Sequence, residues 1–316
     1  MSAKVPTIRL NDGNLCPVVG FGTYETKKAD ILTAIEAGYR HFDGADFYGN
    51  EQEVGAALRE AIAAGKVRRE ELFVVSKVWP NWTGKGRPTL SVKRTLKNLG
   101  LDYVDLLLIH WPTPFKQVDD DYHPGAADGQ VLFDESIELY DIWREFEDIK
   151  SAGLTKSIGV SNFNSQQIQE LIDNSKTVPA VLQVESHPYF NNDRLRRWCQ
   201  EKGVRMTAYS PLASTGPNLN QSLPKPIDLP LFKELANKYG VSAAAIIFRW
   251  QTQRGVIVIP KSSTKERIQS NINIFHFVLT ADELLAIDGI DNNYRCHPWN
   301  HWGISKHKRY PFGIPF

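Results

Sequence analysis

The sequence has 316 residues, of which 42% are hydrophobic, 11% aromatic and 23% charged, a composition typical of a globular protein. Its 37 basic and 36 acidic residues leave a net charge of +1, which argues against bulk electrostatic attraction to nucleic acid or to an anionic membrane. The first residues lack the apolar stretch of a signal peptide, and no run reaches the roughly 18 apolar residues of a membrane helix. We therefore expect a cytoplasmic protein with neither nucleic-acid nor membrane partners.

The predicted elements begin with a hairpin, because two short alternating runs flank a turn at Asp12-Gly13. Eight buried strands follow, at residues 18–22, 39–43, 72–77, 104–110, 155–160, 181–184, 204–209 and 256–259. Helix patterns alternate with them, near residues 27–37, 50–63, 88–98, 134–150, 164–174, 191–202, 231–238, 242–253 and 264–272. Capping boxes are expected at Asn50, Asn164 and Thr280, each of which precedes a Glu or Gln by three residues.

Eight strand–helix repeats without a dividing linker predict one domain over residues 1–316, an α/β (β/α)8 TIM barrel with the hairpin across its bottom. Three segments exceed what a barrel needs: residues 112–133, 212–230 and the tail after about 290. The first two follow the fourth and seventh strands, and so lie on the face that carries the strand C-termini. The tail is rich in aromatic residues, which argues against disorder, and we expect it over the active-site face as well.

The three cysteines, Cys16, Cys199 and Cys296, are far apart and have neither zinc-type nor redox spacing. We interpret them as reduced, structural thiols. His297, His301 and His307 lack carboxylates or thiols at ligand spacing, so we expect solvated side chains and no metal site.

Four charged or titratable residues stand at or just beyond strand ends: Asp43, Tyr48, Lys77 and His110. An unpaired buried ammonium is costly, so we expect Asp43 to pair with Lys77. The Lys77 charge favours the phenolate of Tyr48, which predicts a lowered phenol pKa and a proton donor usable near neutral pH. Each residue alone also suits an ordinary role, as a cap, a half-buried aromatic, an edge lysine or a core histidine. Together, on consecutive strands, they favour a catalytic site.

Six ordered motifs resemble those of the aldo-keto reductases. They are residues 38–45 (GYRHFDGA), 48–55 (YGNEQEVG), the Lys77 strand, 106–112 (LLLIHWP), 158–163 (IGVSNF) and 259–262 (IPKS). The resemblance implies a TIM barrel that binds NADPH across its top and passes a hydride to a carbonyl carbon. It also implies that Tyr48 donates the proton, that Lys77 and Asp43 lower its pKa, and that His110 orients the carbonyl.

The resemblance extends to the coenzyme side. Ser161, Asn162 and Gln183 match the positions that hydrogen-bond the nicotinamide carboxamide, and Tyr209 matches the aromatic residue on which the ring stacks. The loop that covers the pyrophosphate begins with Ser210, Pro211, Leu212 and Ser214. The alternative for this segment is an ordinary strand exit.

Residues 260–267 predict an anion site, because hydroxyl groups and free N–H groups at a helix start stand beside two cations. The residues assigned to it are Lys261, Ser262, Ser263, Arg267, Ser270 and Asn271. This arrangement suits an adenosine 2'-phosphate and favours NADPH over NADH, which would bind more weakly; a solvated basic helix start is the alternative. Ser270 departs from the glutamate usual in the family at the adenine, which leaves the coenzyme preference less certain.

The predicted substrate pocket is apolar and aromatic, which suits aldehydes and hydrophobic ketones. Its residues are Tyr24, Phe47, Trp79, Trp111 and Phe115 beside His110, with loop packing as the alternative for Tyr24 and Phe115. The leading hypothesis is a monomeric NADPH-dependent aldehyde or ketone reductase. A specialised aldose, xylose or steroid reductase is the alternative among enzymes, and a non-catalytic nucleotide-binding sensor or structural protein is the alternative of another class.

Overall fold

The structure, a computed structural model, describes residues 5–213, 223–314 and 316. Strands β1 (Thr7–Arg9) and β2 (Leu15–Pro17) form the predicted antiparallel hairpin. Its turn contains Gly13, whose φ of 91° lies in the left-handed region that glycine enters without steric cost. Leu10 and Cys16 from this hairpin pack into the lower end of the barrel, so the hairpin closes the bottom.

Eight parallel strands form the barrel, ordered as in the chain. They are β3 (Phe21–Gly22), β4 (His41–Asp43), β5 (Phe73–Val78), β6 (Val104–Ile109), β7 (Thr155–Ser161), β8 (Val181–Glu185), β9 (Arg205–Tyr209) and β10 (Ile257–Val258). The first and last strands meet through a parallel bridge between Val19 and Val258, and Gly22 donates its N–H to the carbonyl oxygen of Pro260 at 3.0 Å. The predicted (β/α)8 barrel is confirmed.

Within the part of the chain that the structure describes, ten α-helices connect and surround these strands. They are α1 (Lys28–Ala37), α2 (Glu51–Ala63), α3 (Arg87–Leu99), α4 (Leu139–Ser151), α5 (Ser165–Asn174), α6 (Asp193–Glu201), α7 (Pro230–Tyr239), α8 (Ala243–Gln253), α9 (Lys265–Ile272) and α10 (Ala281–Asp288). Helix α4 begins five residues later than predicted. There the Asp134 carboxylate accepts the Ser136 N–H at 3.1 Å, a local turn that competes with helix formation.

Two of the three expected capping boxes are confirmed, at Asn164 with Gln167 and at Thr280 with Glu283. The prediction for Asn50 was wrong. Its side-chain amide instead donates to the carbonyl oxygens of Thr23 at 2.7 Å and Thr26 at 3.2 Å. Asn50 therefore ties the loop after β3 to the start of α2, above the strand ends.

The core divides in two because side chains alternate across each strand. On β5, Val74 packs outward in the layer shared with the helices, whereas Phe73 and Val75 point into the barrel interior. On β6, Leu107 likewise packs outward against the helices, and Leu106 points into the barrel interior. The barrel interior is thus filled below, which leaves only its upper end open for a site.

The long connections lie over that upper end. Trp79 beyond β5 donates its indole N–H to the carbonyl oxygen of Tyr122 at 2.7 Å, which fixes the loop after β6. The C-terminal tail returns to α5, where the Asn164 and Gln167 side chains donate to the carbonyl oxygens of Pro311 at 3.0 Å and Arg309 at 2.8 Å. The tail is therefore packed across the barrel, as predicted.

Candidate active site

The four strand-end residues meet at the top of β4, β5 and β6. The Lys77 ammonium lies 2.6 Å from a carboxylate oxygen of Asp43 and donates to the carbonyl oxygen of Gly44 at 2.7 Å. It also donates to the Tyr48 hydroxyl at 3.4 Å. The ring centroids of Tyr48 and His110 are 6.1 Å apart. A buried ion pair, a phenol and an imidazole therefore share one small volume.

Burial dominates the electrostatics of Tyr48. It raises the pKa of the phenol above its ordinary value, while the Lys77 charge acts in the opposite direction. The predicted net lowering of this pKa was therefore wrong, because sequence reasoning counted the cation and not the desolvation. Burial alone would lower the pKa of Lys77, but Asp43 and Tyr48 raise it, so the ammonium stays charged.

His110 is a neutral imidazole. Burial, assisted by the Lys77 charge, holds the pKa of His110 well below its ordinary value. Nδ1 is buried and has no hydrogen-bond partner among the described residues, so Nε2 is the ring nitrogen with access to the cavity. The Trp79 ring meets the imidazole edge to face, with centroids 4.9 Å apart, and fixes its orientation.

A cavity of about 1260 Å³ extends from these residues across the strand ends of β7 to β10. It is lined by most of the residues assigned to the coenzyme: Ser161, Asn162, Gln183, Tyr209, Ser210, Pro211, Leu212, Lys261, Ser262, Arg267, Ser270 and Asn271. Ser263 is exposed and lies outside the lining. Ser214 falls outside the described residues.

The polar side chains at the ends of β7 and β8 are hydrogen-bonded to two of the four strand-end residues. The Gln183 amide donates to the second carboxylate oxygen of Asp43 at 2.7 Å, and the Asn162 amide donates to the carbonyl oxygen of His110 at 3.0 Å. Tyr209 in turn donates its hydroxyl proton to the Asn162 side chain at 2.8 Å. Asn162 has a φ of 61°, a strained backbone of the kind that concentrates at functional sites.

The far end of the cavity carries positive charge. Lys225, Lys261 and Arg267 line it, and none of them forms an ion pair with a carboxylate of the described residues. Helix α9 begins at Lys265, one residue after the predicted start, because the Ser262 hydroxyl accepts the N–H of Thr264 at 3.1 Å and holds the chain in a turn first. Cations and hydroxyl groups at this end make a suitable environment for phosphate.

The residues predicted to contact substrate, Tyr24, Phe47, Trp79, His110 and Trp111, all line the cavity near Tyr48. Phe47 stacks on Trp79 at 3.9 Å between ring centroids. Phe115 does not line the cavity; it is fully buried in loop packing beside Phe133, so its assignment to the pocket was wrong.

Sequence reasoning placed the tail over this face but did not identify which of its residues form the wall opposite these aromatics. Residues 294–301, which we call the tail wall, all line the cavity. Trp299 stacks on Trp111 at 3.7 Å, and His297 shares a 3.2 Å hydrogen bond with Ser210. The expectation that these histidines are solvated was therefore wrong for His297 and for His307, which is buried against Phe133. It was right for His301, which is exposed. The aromatic richness of the tail was the available signal, but no spacing in the sequence pointed to these contacts.

All three cysteines are buried as thiols, which agrees with the structural role expected of them. Cys296 lies beside Glu185 and His187, and this is the group of three potential metal ligands found among the described residues. Cys296 lies in the tail, 111 positions from Glu185 at the end of β8 and 109 positions from His187 just beyond it. This proximity therefore had no sequence signal.

Comparison with known proteins agrees with this arrangement. The sequence model of the Aldo/keto reductase family matches residues 9–292. The chain belongs to the aldo/keto reductase family. Members of this family are nicotinamide-dependent oxidoreductases of carbonyl and hydroxyl groups, and their substrates are small carbonyl compounds. Among the described residues, no helix is both long and apolar enough to cross a membrane.

Individual relatives match over nearly their whole length. Human aldo-keto reductase family 1 member C1 is 43% identical over 93% of this chain and 94% of its own. Mouse estradiol 17 beta-dehydrogenase 5 is 40% identical, again over 93% of this chain and 94% of its own. The NAD(P)H-dependent D-xylose reductase I,II of Candida tropicalis is 41% identical over 94% of this chain and 96% of its own. Relatives with quite different substrates are thus about equally similar, so identity alone does not indicate the substrate of this member of the family.

Proposed function

We propose that this protein reduces aldehydes and ketones to alcohols with NADPH, using Tyr48 as the proton donor. The observation that carries the proposal is the contact of the Tyr48 hydroxyl with a buried Lys77–Asp43 ion pair, beside the neutral imidazole of His110. Burying charged groups this deeply is costly even when they are paired, and costly groups of this kind cluster at functional sites. Here the ion pair supplies a fixed positive charge next to an acid at the floor of a cavity.

The donor set on strands β7 and β8 suits a nicotinamide. Gln183 uses its amide N–H on Asp43, and its Oε1 accepts no hydrogen bond from the described residues. That oxygen, with Ser161 and Asn162, would hold the carboxamide, and the Tyr209 ring would stack beneath the nicotinamide. Lys261 and Arg267 would hold the phosphates with Ser262 and Asn271. Nicotinamide bound in this way supplies the hydride.

The protein's own residues then orient the carbonyl and move one proton. His110 donates from Nε2 to the carbonyl oxygen and aims the carbon at the coenzyme side of the cavity. As that oxygen gains negative charge, Tyr48 transfers its Oη proton to it. The Lys77 ammonium stabilises the resulting phenolate, and Asp43 keeps the ammonium in place. In the reverse direction the phenolate accepts the proton of an alcohol.

The preference for NADPH over NADH rests on Arg267. Its guanidinium lines the cavity from α9 without a carboxylate partner among the described residues, and guanidinium groups bind phosphate oxygens in pairs. Asn271 lies one turn further along the same face of α9 and also lines the cavity. NADPH differs from NADH by a 2'-phosphate, and Arg267 and Asn271 together form a suitable site for that phosphate.

The walls favour hydrophobic carbonyl substrates. Trp79, Trp111, Phe47 and Trp299 surround the space above Tyr48, and apolar aromatic walls bind aromatic and alicyclic groups better than they bind polyols. The name of the mouse relative points to steroids and that of the yeast relative to a sugar. A xylose-type activity is the second candidate, favoured by the exposed Asn300 and His301 at the cavity rim.

The test is to mix the purified protein with NADPH and a panel of aromatic, alicyclic and sugar carbonyl compounds and to follow the loss of coenzyme absorbance. We expect turnover, fastest with the aromatic aldehydes. A protein that binds NADPH but leaves its absorbance unchanged with every compound would instead be a nucleotide sensor. A cytoplasmic location and a monomeric state are part of the proposal, and size-exclusion chromatography tests the latter.

A further inference from the structure

The tail wall, residues 294–301, contains no strand and no α-helix, and only its last residue, His301, begins a short 3-10 helix, yet the segment forms one side of the cavity. Trp299 has a φ of 45°, and an irregular chain with a left-handed residue needs outside support to keep one shape. Trp299 also lies beside two aromatic residues of the predicted substrate pocket, 5.9 Å between ring centroids from Trp79 and stacked on Trp111. What holds this segment therefore bears on how substrate is held.

Two of the hydrogen bonds that support the tail wall are accepted by one buried carboxylate. Glu185 is the last residue of β8 and is fully buried. Its two oxygens accept the backbone N–H of Cys296 at 2.6 Å and the backbone N–H of His297 at 2.9 Å. His187 lies 2.8 Å from the first of these oxygens through Nε2. Charge-assisted hydrogen bonds to backbone N–H groups are strong, and more so when water is excluded.

The carboxylate is ionised in this position. Burial alone would raise the pKa of Glu185, but the hydrogen bond and charge of His187 lower it below its ordinary value. An amide at this position would keep one acceptor oxygen and turn an NH2 group toward the other backbone N–H. Two donors would then face each other without water, so one anchor of the segment would be lost.

The anchored segment reaches both halves of the site. His297 shares a hydrogen bond with Ser210, at the start of the loop assigned to the pyrophosphate, and Trp299 follows two residues later against Trp111. Glu185 itself does not line the cavity and makes no hydrogen bond with Tyr48, Lys77 or His110. Its influence on substrate must therefore pass through the tail wall.

We propose that Glu185 is a positioning residue for substrate. By accepting the backbone N–H groups of Cys296 and His297, its carboxylate fixes the position of Trp299 and so determines how well large carbonyl compounds fit. The proposal rests on the reductase function proposed above. A compound as small as propanal reaches Tyr48 and His110 without needing the wall, whereas a bulky aromatic ketone packs against Trp299. Glu185 therefore governs the discrimination between large and small substrates and leaves the chemical step alone.

The experiment compares Glu185→Gln with Glu283→Gln. Glu283 is the matched control, because its carboxylate also accepts a backbone N–H, that of Thr280 at 2.7 Å, but it lies on α10 outside the cavity lining. KM and kcat are measured for propanal and for a bulky aromatic ketone. In Glu185→Gln we expect KM for the ketone to rise about tenfold, with both constants for propanal changed less than about twofold. In Glu283→Gln the ratio of the two KM values stays that of the wild type.

An unchanged KM ratio in Glu185→Gln, or an equal change in Glu283→Gln, overturns the positioning role. A wild-type protein that reduces neither compound overturns the proposed function itself, which is a different result. Amide hydrogen exchange of the wild type, followed by NMR, tests the anchor even when the variant does not fold. The amides of Cys296 and His297 should exchange about 100-fold more slowly than that of the exposed Asn300; equal rates would show that Glu185 does not hold the segment.

Discussion

The catalytic floor and the tail wall face each other across one cavity but are held by different forces. The floor, formed by Asp43, Tyr48, Lys77 and His110, stands on consecutive strand ends and is fixed by a buried ion pair with a 2.6 Å contact. The tail wall is irregular chain, held by ring stacking and by backbone hydrogen bonds, two of which go to the Glu185 carboxylate. The residues of the predicted chemistry thus stand on rigid strands, while the tail wall, which has neither strand nor α-helix, shapes the substrate site.

This difference indicates how variants should behave. A change in the floor alters groups that touch the reacting atoms, so it should lower kcat for every substrate. A change in the tail wall alters only the space around the substrate, so it should raise KM in proportion to substrate size. The predictions below follow this division from the largest expected effect to the smallest.

The Tyr48→Phe variant should lose about 10²- to 10⁴-fold in kcat with every carbonyl substrate, because it lacks the proton that is transferred to the carbonyl oxygen. NADPH affinity, measured by quenching of protein fluorescence, should stay close to that of the wild type. Retention of most of the rate would contradict the assignment of Tyr48 as proton donor.

The Lys77→Met variant should lower the free energy of unfolding by about 3–5 kcal/mol, since it leaves the buried Asp43 carboxylate without its cation. Lys66→Met is the matched control. Lys66 pairs with Glu36 at 2.7 Å, but both side chains are exposed and water screens their attraction, so the loss of unfolding free energy should be much smaller than in Lys77→Met. Urea denaturation of both variants checks the contrast, and equal losses would show that the buried pair has no special role.

The Arg267→Gln variant should weaken NADPH about 10- to 100-fold and NADH much less, because only the first carries the phosphate that the guanidinium would bind. Equilibrium titration with each coenzyme measures the two dissociation constants. Equal losses for both coenzymes would place Arg267 away from the 2'-phosphate.

The Trp299→Ala variant should raise KM severalfold for a bulky aromatic ketone and leave KM for propanal nearly unchanged, because only the larger compound packs against the indole. Steady-state kinetics with the two substrates provide the measurement. A fall in kcat for propanal would mean that the tail wall also supports the floor, which would remove the division drawn above.

Much of the floor could be predicted because polar residues that end apolar runs are local signals. The strand pattern placed Asp43, Lys77 and His110 at neighbouring strand ends, and the structure brings all three to Tyr48, which contacts both Lys77 and His110. The direction of the Tyr48 pKa was predicted wrongly, because the balance between a cation and desolvation depends on how much water is excluded. Burial of that kind is a property of the packed structure.

The tail wall could not be predicted in the same way. Its aromatic composition indicated an ordered tail, but the contacts of Trp299 with Trp111 and of His297 with Ser210 join residues about 190 and 90 positions apart. Asn50 is a smaller case of the same kind: its sequence context predicted a helix cap, whereas carbonyl groups of the loop after β3 compete successfully for its amide.

The sequence by itself determined the barrel, its order of strands and the residues that gather at its upper end. It could do so because the alternation of buried strands and amphipathic helices is written in local periodicity, and parallel strands direct their C-terminal ends to one face. Three features depend on the tertiary structure alone. They are the identity of the tail residues that line the cavity, the neutral state of the buried His110, and the hydrogen bonds of Glu185 to the tail backbone. Those properties arise from contacts between distant segments, whose energies depend on the exclusion of water and have no counterpart in local pattern.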